Sequence, residues 1–242
     1  MDAEPQRGGC DWTVREAWIL LVVVLVAILA KDLVMASETV RLAPPDARAL
    51  VTAGALFGFY AVVAVGLCVL ARRRGVGVVR AFRLRGARVT LRTLLASVAL
   101  VVGLLIVVRL CALGYGALTH ALGWEAPTRA VVDLPGIFGP TAWGLLASIA
   151  LVVLVAPVIE EIVFRGVLQE ALAAEWNWRV AVCVSAAVFA LYHTAPWLFV
   201  PVFALGVACG WLAHTRQTLL PAISLHAAYN VLPVALAFGV FL

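Results

Sequence analysis

The sequence has few charged residues. Asp, Glu, Lys and Arg together make up 13% of the 242 residues, whereas 64% are hydrophobic, and only one of the 18 basic residues is a lysine. So little charge excludes an ordinary soluble domain, because so many apolar side chains cannot all be buried in a soluble core. We therefore expect an all-α, polytopic membrane protein in which one membrane domain accounts for the whole length.

The sequence also lacks several motifs of known chemistry. Its five cysteines are odd in number and form no Cys-x-x-Cys pair, so they predict neither a disulfide framework nor a cysteine metal site. There is no His-Glu-x-x-His pair and no glycine-rich nucleotide loop. The polar residues of the apolar runs show no serine–histidine–acid or cysteine–histidine arrangement. Internal repeats and low-complexity linkers are absent as well.

Long apolar runs dominate what is present. A helix needs about 20 residues to cross a 30 Å hydrocarbon core. On this basis we predict about seven transmembrane helices, within a range of six to eight. Pro196 and Pro201 interrupt the fifth and sixth runs, and we expect a kinked, tightly turned pair there. The runs are residues 17–36, 49–70, 93–118, 141–173, 179–195, 197–214 and 219–241.

An arginine-rich loop, residues 71–92, separates the second run from the third. Eight arginines lie between Arg72 and Arg92. Such a loop between two apolar runs is typical of the cytoplasmic side, which places the N-terminus in the cytoplasm as well. The net charge of +5 is then explained by membrane orientation and by contact with anionic lipid headgroups. We expect no nucleic-acid partner.

Two adjacent carboxylates, Glu160 and Glu161, lie inside the fourth apolar run together with Arg165. Each ionised residue at the centre of a spanning helix costs roughly 2.5–3.5 kcal/mol on translocon scales, so such residues by default mark function. Glu161 and Arg165 have i, i+4 spacing, and the alternative for this pair is simple mutual neutralisation. Glu160 has no such partner, because Phe164 occupies the corresponding position.

Three further polar residues are expected to converge on Glu160. The turn between the fourth and fifth runs is centred near Trp176, with Glu160 and His193 each about sixteen residues from it, or about 24 Å of helix. Equal distances from the turn of a hairpin mean equal depth. In the last run His226 and Asn230 are spaced i, i+4 and share one helix face. The alternatives are a satisfied core histidine for His193 and a helix-packing pair for His226 and Asn230.

The remaining ionisable residues of the runs have simpler interpretations. His120 and His214 are expected at the membrane interface. Arg109, in the third run, either extends to the interface or lines the cavity.

A glutamate, two histidines and an asparagine in a buried, wet pocket suit amide hydrolysis. A desolvated glutamate is a suitable general base near neutral pH, and histidine and asparagine can donate hydrogen bonds to an oxyanion. The same four residues could instead hold a divalent metal such as zinc, although they are a weaker zinc signature than three His or Cys ligands.

The motifs Glu160-Glu161-x-x-x-Arg165, Phe189-x-x-x-His193 and His226-x-x-x-Asn230 resemble those of the CAAX protease and bacteriocin-processing (CPBP, or Abi) family of intramembrane proteases. The resemblance covers roughly residues 141–235. It implies that Glu160 activates water, that His193 binds or orients this water, and that His226 and Asn230 form the oxyanion hole. Glu161 and Arg165 would support the site.

The resemblance also implies a membrane-anchored peptide or protein substrate, such as a prenylated CAAX-like protein or a C-terminal sorting signal. Residues 1–140 would be N-terminal spans with the arginine loop, and residues 141–242 the catalytic core. Family members have been described both as metalloproteases and as metal-independent glutamate proteases, and the ligand set favours the absence of a cofactor. The Ala-, Val- and Arg-rich composition suits a high-GC bacterium, and the expected location is the inner (plasma) membrane. Two other hypotheses are a proton-coupled transporter and a non-catalytic scaffold or immunity protein.

Overall fold

The computed structural model describes residues 11–85, 91–123, 134–193 and 198–239, and within these ranges all regular structure is helical. Three long helices alternate with three short ones in the first half of the described residues, and a 34-residue helix opens the second half. In chain order the helices are α1 (Val14–Ala36), α2 (Glu38–Arg41), α3 (Pro45–Arg73), α4 (Val78–Ala81), α5 (Leu91–Ala121), α6 (Leu134–Phe138), α7 (Ala142–Glu175), α8 (Trp178–Tyr192), α9 (Phe199–Arg216) and α10 (Leu220–Ala237).

Six helices of the described ranges are long and apolar enough to cross a membrane: α1, α3, α5, α7, α9 and α10. The apolar α8 has 15 residues and is about 22 Å long, shorter than the hydrocarbon core. Large apolar side chains such as Ile19, Phe57 and Ile106 are more than half exposed, as expected for surfaces that face lipid. The prediction of an all-α polytopic bundle is confirmed.

The arginine loop contacts the start of α1, the end of α7 and the turn before α10, all at one end of the bundle. Arg74, in the arginine loop, forms an ion pair with Glu16 at the start of α1. Farther along this loop, the Arg83 guanidinium lies 2.9 Å from Glu170 near the end of α7. The Thr218 hydroxyl, in the turn before α10, donates to the Arg83 carbonyl oxygen at 2.9 Å. These contacts join the arginine loop to the α7 and α9–α10 turns.

Helix α7 contains two π-helical segments, Ile149–Val155 and Ile162–Leu168, which the sequence analysis did not predict. The first ends next to Pro157, which has no N–H to donate and whose ring crowds the preceding turn. In the wider turn, the Ala156 N–H donates to the Leu151 carbonyl, five residues back. π-helical turns inside α-helices often occur at functional sites.

The second π-helical segment is the centre of the bundle. All seven of its residues are buried, Arg165 among them. Its apolar side chains belong to the main hydrophobic core together with residues of α1, α8 and α9. The polar residues of this helix are therefore fixed by neighbours on several sides.

The hairpin that follows α7 agrees with the predicted turn. Helix α7 ends at Glu175, and the Asn177 side chain accepts a hydrogen bond from the Arg179 N–H at the start of α8. The expected kink at Pro196 lies outside the described residues. Pro201 does not break a helix: it lies in the first turn of α9, where its missing N–H has no intrahelical partner to lose.

Candidate functional site

A cavity of about 160 Å³ lies between α1, α3, α7 and α8. Both Glu160 and His193 line it, which agrees with the equal depths inferred from the hairpin. More than half of the described lining residues come from α1 and α3, before the motif-bearing region. The lining residues are Val24, Ile28, Lys31, Leu56, Phe59, Tyr60, Val63, Ile159, Glu160, Val163, Phe164, Tyr192 and His193.

Glu160 is the carboxylate that faces this cavity. Its side chain is 21% exposed, and the Tyr60 hydroxyl donates a hydrogen bond to its Oε1 at 2.9 Å. The second oxygen, Oε2, lies 3.8 Å from His226 Nε2. That separation is too long for a direct hydrogen bond and leaves both atoms able to share a water or a substrate oxygen.

Glu161 lies behind the cavity and is fully buried. Its Oε1 accepts a hydrogen bond from Arg165 Nη1 at 2.9 Å, so the expected i, i+4 pair is present. The same oxygen lies 2.9 Å from His226 Nδ1, a contact that the sequence did not predict. Since an ionised carboxylate only accepts, Nδ1 carries its hydrogen towards Glu161, which turns Nε2 of His226 towards Glu160.

The Arg165 side chain has no exposed surface, and its guanidinium contacts three groups. Besides Glu161, it donates from Nη2 to the Gly206 carbonyl at 3.2 Å, and its guanidinium lies 4.3 Å from the centre of the Phe189 ring. Gly206 makes this approach possible: a Cβ there would lie 2.8 Å from the Ala186 Cβ and 3.1 Å from Arg165 Nη2. The buried charge is thus stabilised by an acid, a carbonyl and an aromatic face.

His193 contacts the backbone with one nitrogen and lines the cavity with its ring. Its Nδ1 lies 2.9 Å from the Phe189 carbonyl oxygen, which only accepts, so the hydrogen is on Nδ1 and Nε2 has a free lone pair in the neutral ring. The Phe189 ring makes edge contacts with both His193 and His226, at centroid distances of 4.7 and 5.5 Å. Phe189 therefore separates the two imidazoles and fixes their orientation.

Asn230 contacts the backbone of α7 within its first π-helical segment. Its Nδ2 donates to the Val152 carbonyl at 2.8 Å. That carbonyl has lost its helical donor, because the Ala156 N–H bonds to Leu151 and the next residue is Pro157. Asn230 thus replaces a missing backbone donor. A role as oxyanion donor would use the second hydrogen of the same amide.

The other ionisable residues considered from the sequence lie away from the cavity. Arg109 and His120 are exposed on α5, and neither is among the described residues that line the cavity. The His214 ring stacks on Trp178 with centroids 4.2 Å apart, next to the α7–α8 turn. This position agrees with an interfacial residue.

The described residues do not form a ready metal site. No group of three or more His, Cys, Asp or Glu side chains within the four described ranges is arranged to hold a metal ion. Both histidines use Nδ1 for a hydrogen bond to a carboxylate or a carbonyl, which leaves Nε2 as the nitrogen for any further partner. The Asn230 amide nitrogen is hydrogen-bonded to the Val152 carbonyl.

The sequence analysis missed three polar residues of the cavity: Tyr60, Tyr192 and Lys31. Tyr60 and Tyr192 are ordinary residues of apolar helices, and only tertiary packing reveals their location. The Tyr192 hydroxyl is buried and has no hydrogen-bond partner among the described residues. Lys31 was detectable, because it is an ionisable residue inside a spanning helix.

Residues 142–232, less than half of the chain, match the family model of the type II CAAX prenyl endopeptidase Rce1-like proteins. The match confirms the resemblance to the CPBP family, and it contains Glu160, His193, His226 and Asn230. It supports a membrane endopeptidase in general terms. Helices α1 and α3, which form the other wall of the cavity, lie outside the matched segment. No curated protein and no solved structure matches the chain.

Proposed function

We propose that this protein is an intramembrane endopeptidase that uses Glu160 as the general base for hydrolysis of a membrane-associated peptide or protein. One observation carries the proposal: Glu160 is the partly exposed carboxylate of a cavity deep in the bundle, with His193 in the same cavity and His226 Nε2 at 3.8 Å. The family match of residues 142–232 supports the reaction class.

In the proposed reaction, Glu160 Oε2 removes a proton from a water, and the resulting hydroxide adds to the carbonyl carbon of the scissile peptide bond. The C–N bond then breaks, and the leaving nitrogen takes up the proton from Glu160. One water is consumed, and one carboxylic acid and one amine are formed, which become a carboxylate and an ammonium ion when the acid gives its proton to the amine. Tyr60 fixes the other oxygen of Glu160, so Oε2 is the oxygen left for the water.

His193 and His226 have different parts in this proposal. The free Nε2 of His193 accepts a hydrogen bond from the attacking water and orients it. His226 stabilises the oxyanion from Nε2, and it can donate there only when both ring nitrogens carry hydrogen, because Nδ1 is directed at Glu161. Asn230 contributes the second hydrogen of its amide, and Glu161 and Arg165 hold His226 in place.

We further propose that the reaction needs no metal cofactor and that the end of the bundle with the arginine loop faces the cytoplasm of a bacterial plasma membrane. The loop composition supports the orientation. The metal independence is supported by the ligand number, since no group of three or more His, Cys, Asp or Glu side chains in the described ranges is arranged to hold a metal ion.

The test is hydrolysis of a farnesylated reporter peptide by the purified protein in liposomes, followed by mass spectrometry of the products. We expect two fragments whose masses sum to the substrate plus one water. Activity should be unchanged after exhaustive treatment with a metal chelator; a loss that zinc restores would contradict metal independence. Proton-coupled uptake in proteoliposomes without cleavage would favour the transporter hypothesis instead.

A further inference from the structure

The only lysine of the chain lies in the wall of the cavity. The other 17 basic residues are arginines, eight of them between Arg72 and Arg92. Lys31, in contrast, is in the second half of α1, and its side chain is only 22% exposed. A lysine inside a spanning helix is costly, and by default such a residue marks function.

Helix geometry places Lys31 at the depth of Glu160. Helices α1 and α3 are antiparallel, and Glu16 and Arg74 pair at one end of them. Lys31 lies fifteen residues after Glu16, and Phe59 lies fifteen residues before Arg74. Each is therefore about 22 Å of helix from this end. The residue after Phe59 is Tyr60, which contacts Glu160 directly. Lys31 and Glu160 therefore lie at the same depth in the membrane.

Lys31 lies at the boundary of two spaces. It lines the cavity that contains Glu160 and His193, and it also lines a groove of about 660 Å³ on the outer side of α1 and α3. Phe59 is shared by both as well. Every other described residue of the groove is apolar or glycine, such as Val26 and Gly58. Lys31 is thus the only lysine or arginine among the described lining residues of either space.

Lys31 forms an ion pair with a residue that does not line the cavity. This residue is Asp32, whose side chain is 56% exposed and is not among the described lining residues. Adjacent helix residues point about 100° apart, and the long lysine stem allows the ammonium to reach either Asp32 or the cavity. Asp32 offsets part of the membrane cost, and the ammonium remains able to bind an anion in the cavity.

We propose that Lys31 is a specificity-determining residue that binds a carboxylate of the substrate close to the bond that Glu160 hydrolyses. This inference rests on the proposed function. An ammonium and a carboxylate on facing helices suit a peptide whose scissile carbonyl lies at Glu160 and whose negative group lies at Lys31. The carboxylate has two possible sources, the free C-terminus of the substrate and an Asp or Glu side chain next to the cleaved bond.

The test compares three versions of one farnesylated reporter peptide: one with a free C-terminal carboxylate, one with a C-terminal amide, and one amidated peptide that ends in aspartate. If the C-terminus supplies the carboxylate, the wild type should cleave the first with a KM lower by about tenfold or more than the second. If a side chain supplies it, the third peptide should be the preferred one.

In Lys31→Met the KM of the preferred peptide should rise to that of the other peptides, so the preference for a carboxylate disappears, with little change in kcat. Lys31→Arg should keep the preference. The double variant Lys31→Met/Asp32→Asn removes both charges and controls for an unpaired aspartate in the membrane; it should also lose the preference. Equal cleavage of all three peptides by the wild type, or equal losses on all three in Lys31→Met, would overturn the assignment while leaving the proposed hydrolysis intact. Cleavage of none of them would contradict both.

Discussion

The hydrogen bond from Tyr60 to Glu160 gives the sharpest prediction about how the site is organised. Tyr60 comes from α3, outside the matched segment, yet its hydroxyl lies 2.9 Å from Glu160 Oε1. Tyr60→Phe removes this one oxygen and keeps the ring, which packs edge-on against Phe59 with centroids 4.8 Å apart. The substitution therefore tests the hydrogen bond with little change in packing.

A hydrogen bond to a charged group contributes about 1.5–3 kcal/mol, and about 1.36 kcal/mol changes a rate tenfold. If the bond holds Glu160 in the geometry needed for attack, Tyr60→Phe should lower kcat by about ten- to 150-fold. KM should change little, because Tyr60 is proposed to act through Glu160. The assay is steady-state cleavage of the farnesylated reporter in liposomes, with thermal unfolding in detergent to show that the variant is folded.

Tyr229→Phe is the matched control. Tyr229 is a partly buried tyrosine of α10 that is not among the described residues of the cavity, so its loss of a hydroxyl should leave kcat within about twofold. A Tyr60→Phe variant that cleaves at the wild-type rate would refute the reasoning. So would a Tyr229→Phe variant with the same loss.

Two further predictions concern stability, measured as thermal unfolding in detergent. Arg165→Met should destabilise the protein by about 3–5 kcal/mol, because the buried Glu161 loses its arginine partner and keeps only the hydrogen of His226 Nδ1, and Arg165→Met/Glu161→Gln should recover part of the loss; no recovery would argue against the pair. Gly206→Ala should cost about 1–3 kcal/mol, because its Cβ would lie 2.8 Å from that of Ala186, whereas Gly54→Ala, with open space around it, should be neutral or stabilising. Equal effects of the two glycine substitutions would contradict the packing argument.

Much of the fold and part of the site followed from local patterns in the sequence. Apolar runs of membrane length give the helices, and the distances of Glu160 and His193 from one turn give their common cavity. The spacing of Glu161 and Arg165 gives their ion pair. In each case one helix or one hairpin determines the answer, so no knowledge of more distant packing is needed.

The rest depends on contacts between distant parts of the chain. Tyr60 is 100 residues from Glu160, and no periodicity marks it. The contact between His226 and Glu161 depends on how α10 packs against α7. Asn230 contacts Val152 because a π-helical turn beside Pro157 removes a backbone donor, and only the proline was visible in the sequence.

The central claim is that Glu160 transfers the proton during hydrolysis, and kcat of Glu160→Gln tests it most directly. Glutamine keeps the size of the side chain and an oxygen that accepts from Tyr60, but it cannot serve as the base. We expect a kcat lower by about 10²–10⁴-fold, the typical contribution of general acid–base catalysis, in a folded protein. Glu175→Gln, at the exposed end of α7, should retain wild-type activity. Full cleavage by Glu160→Gln would exclude Glu160 as the base.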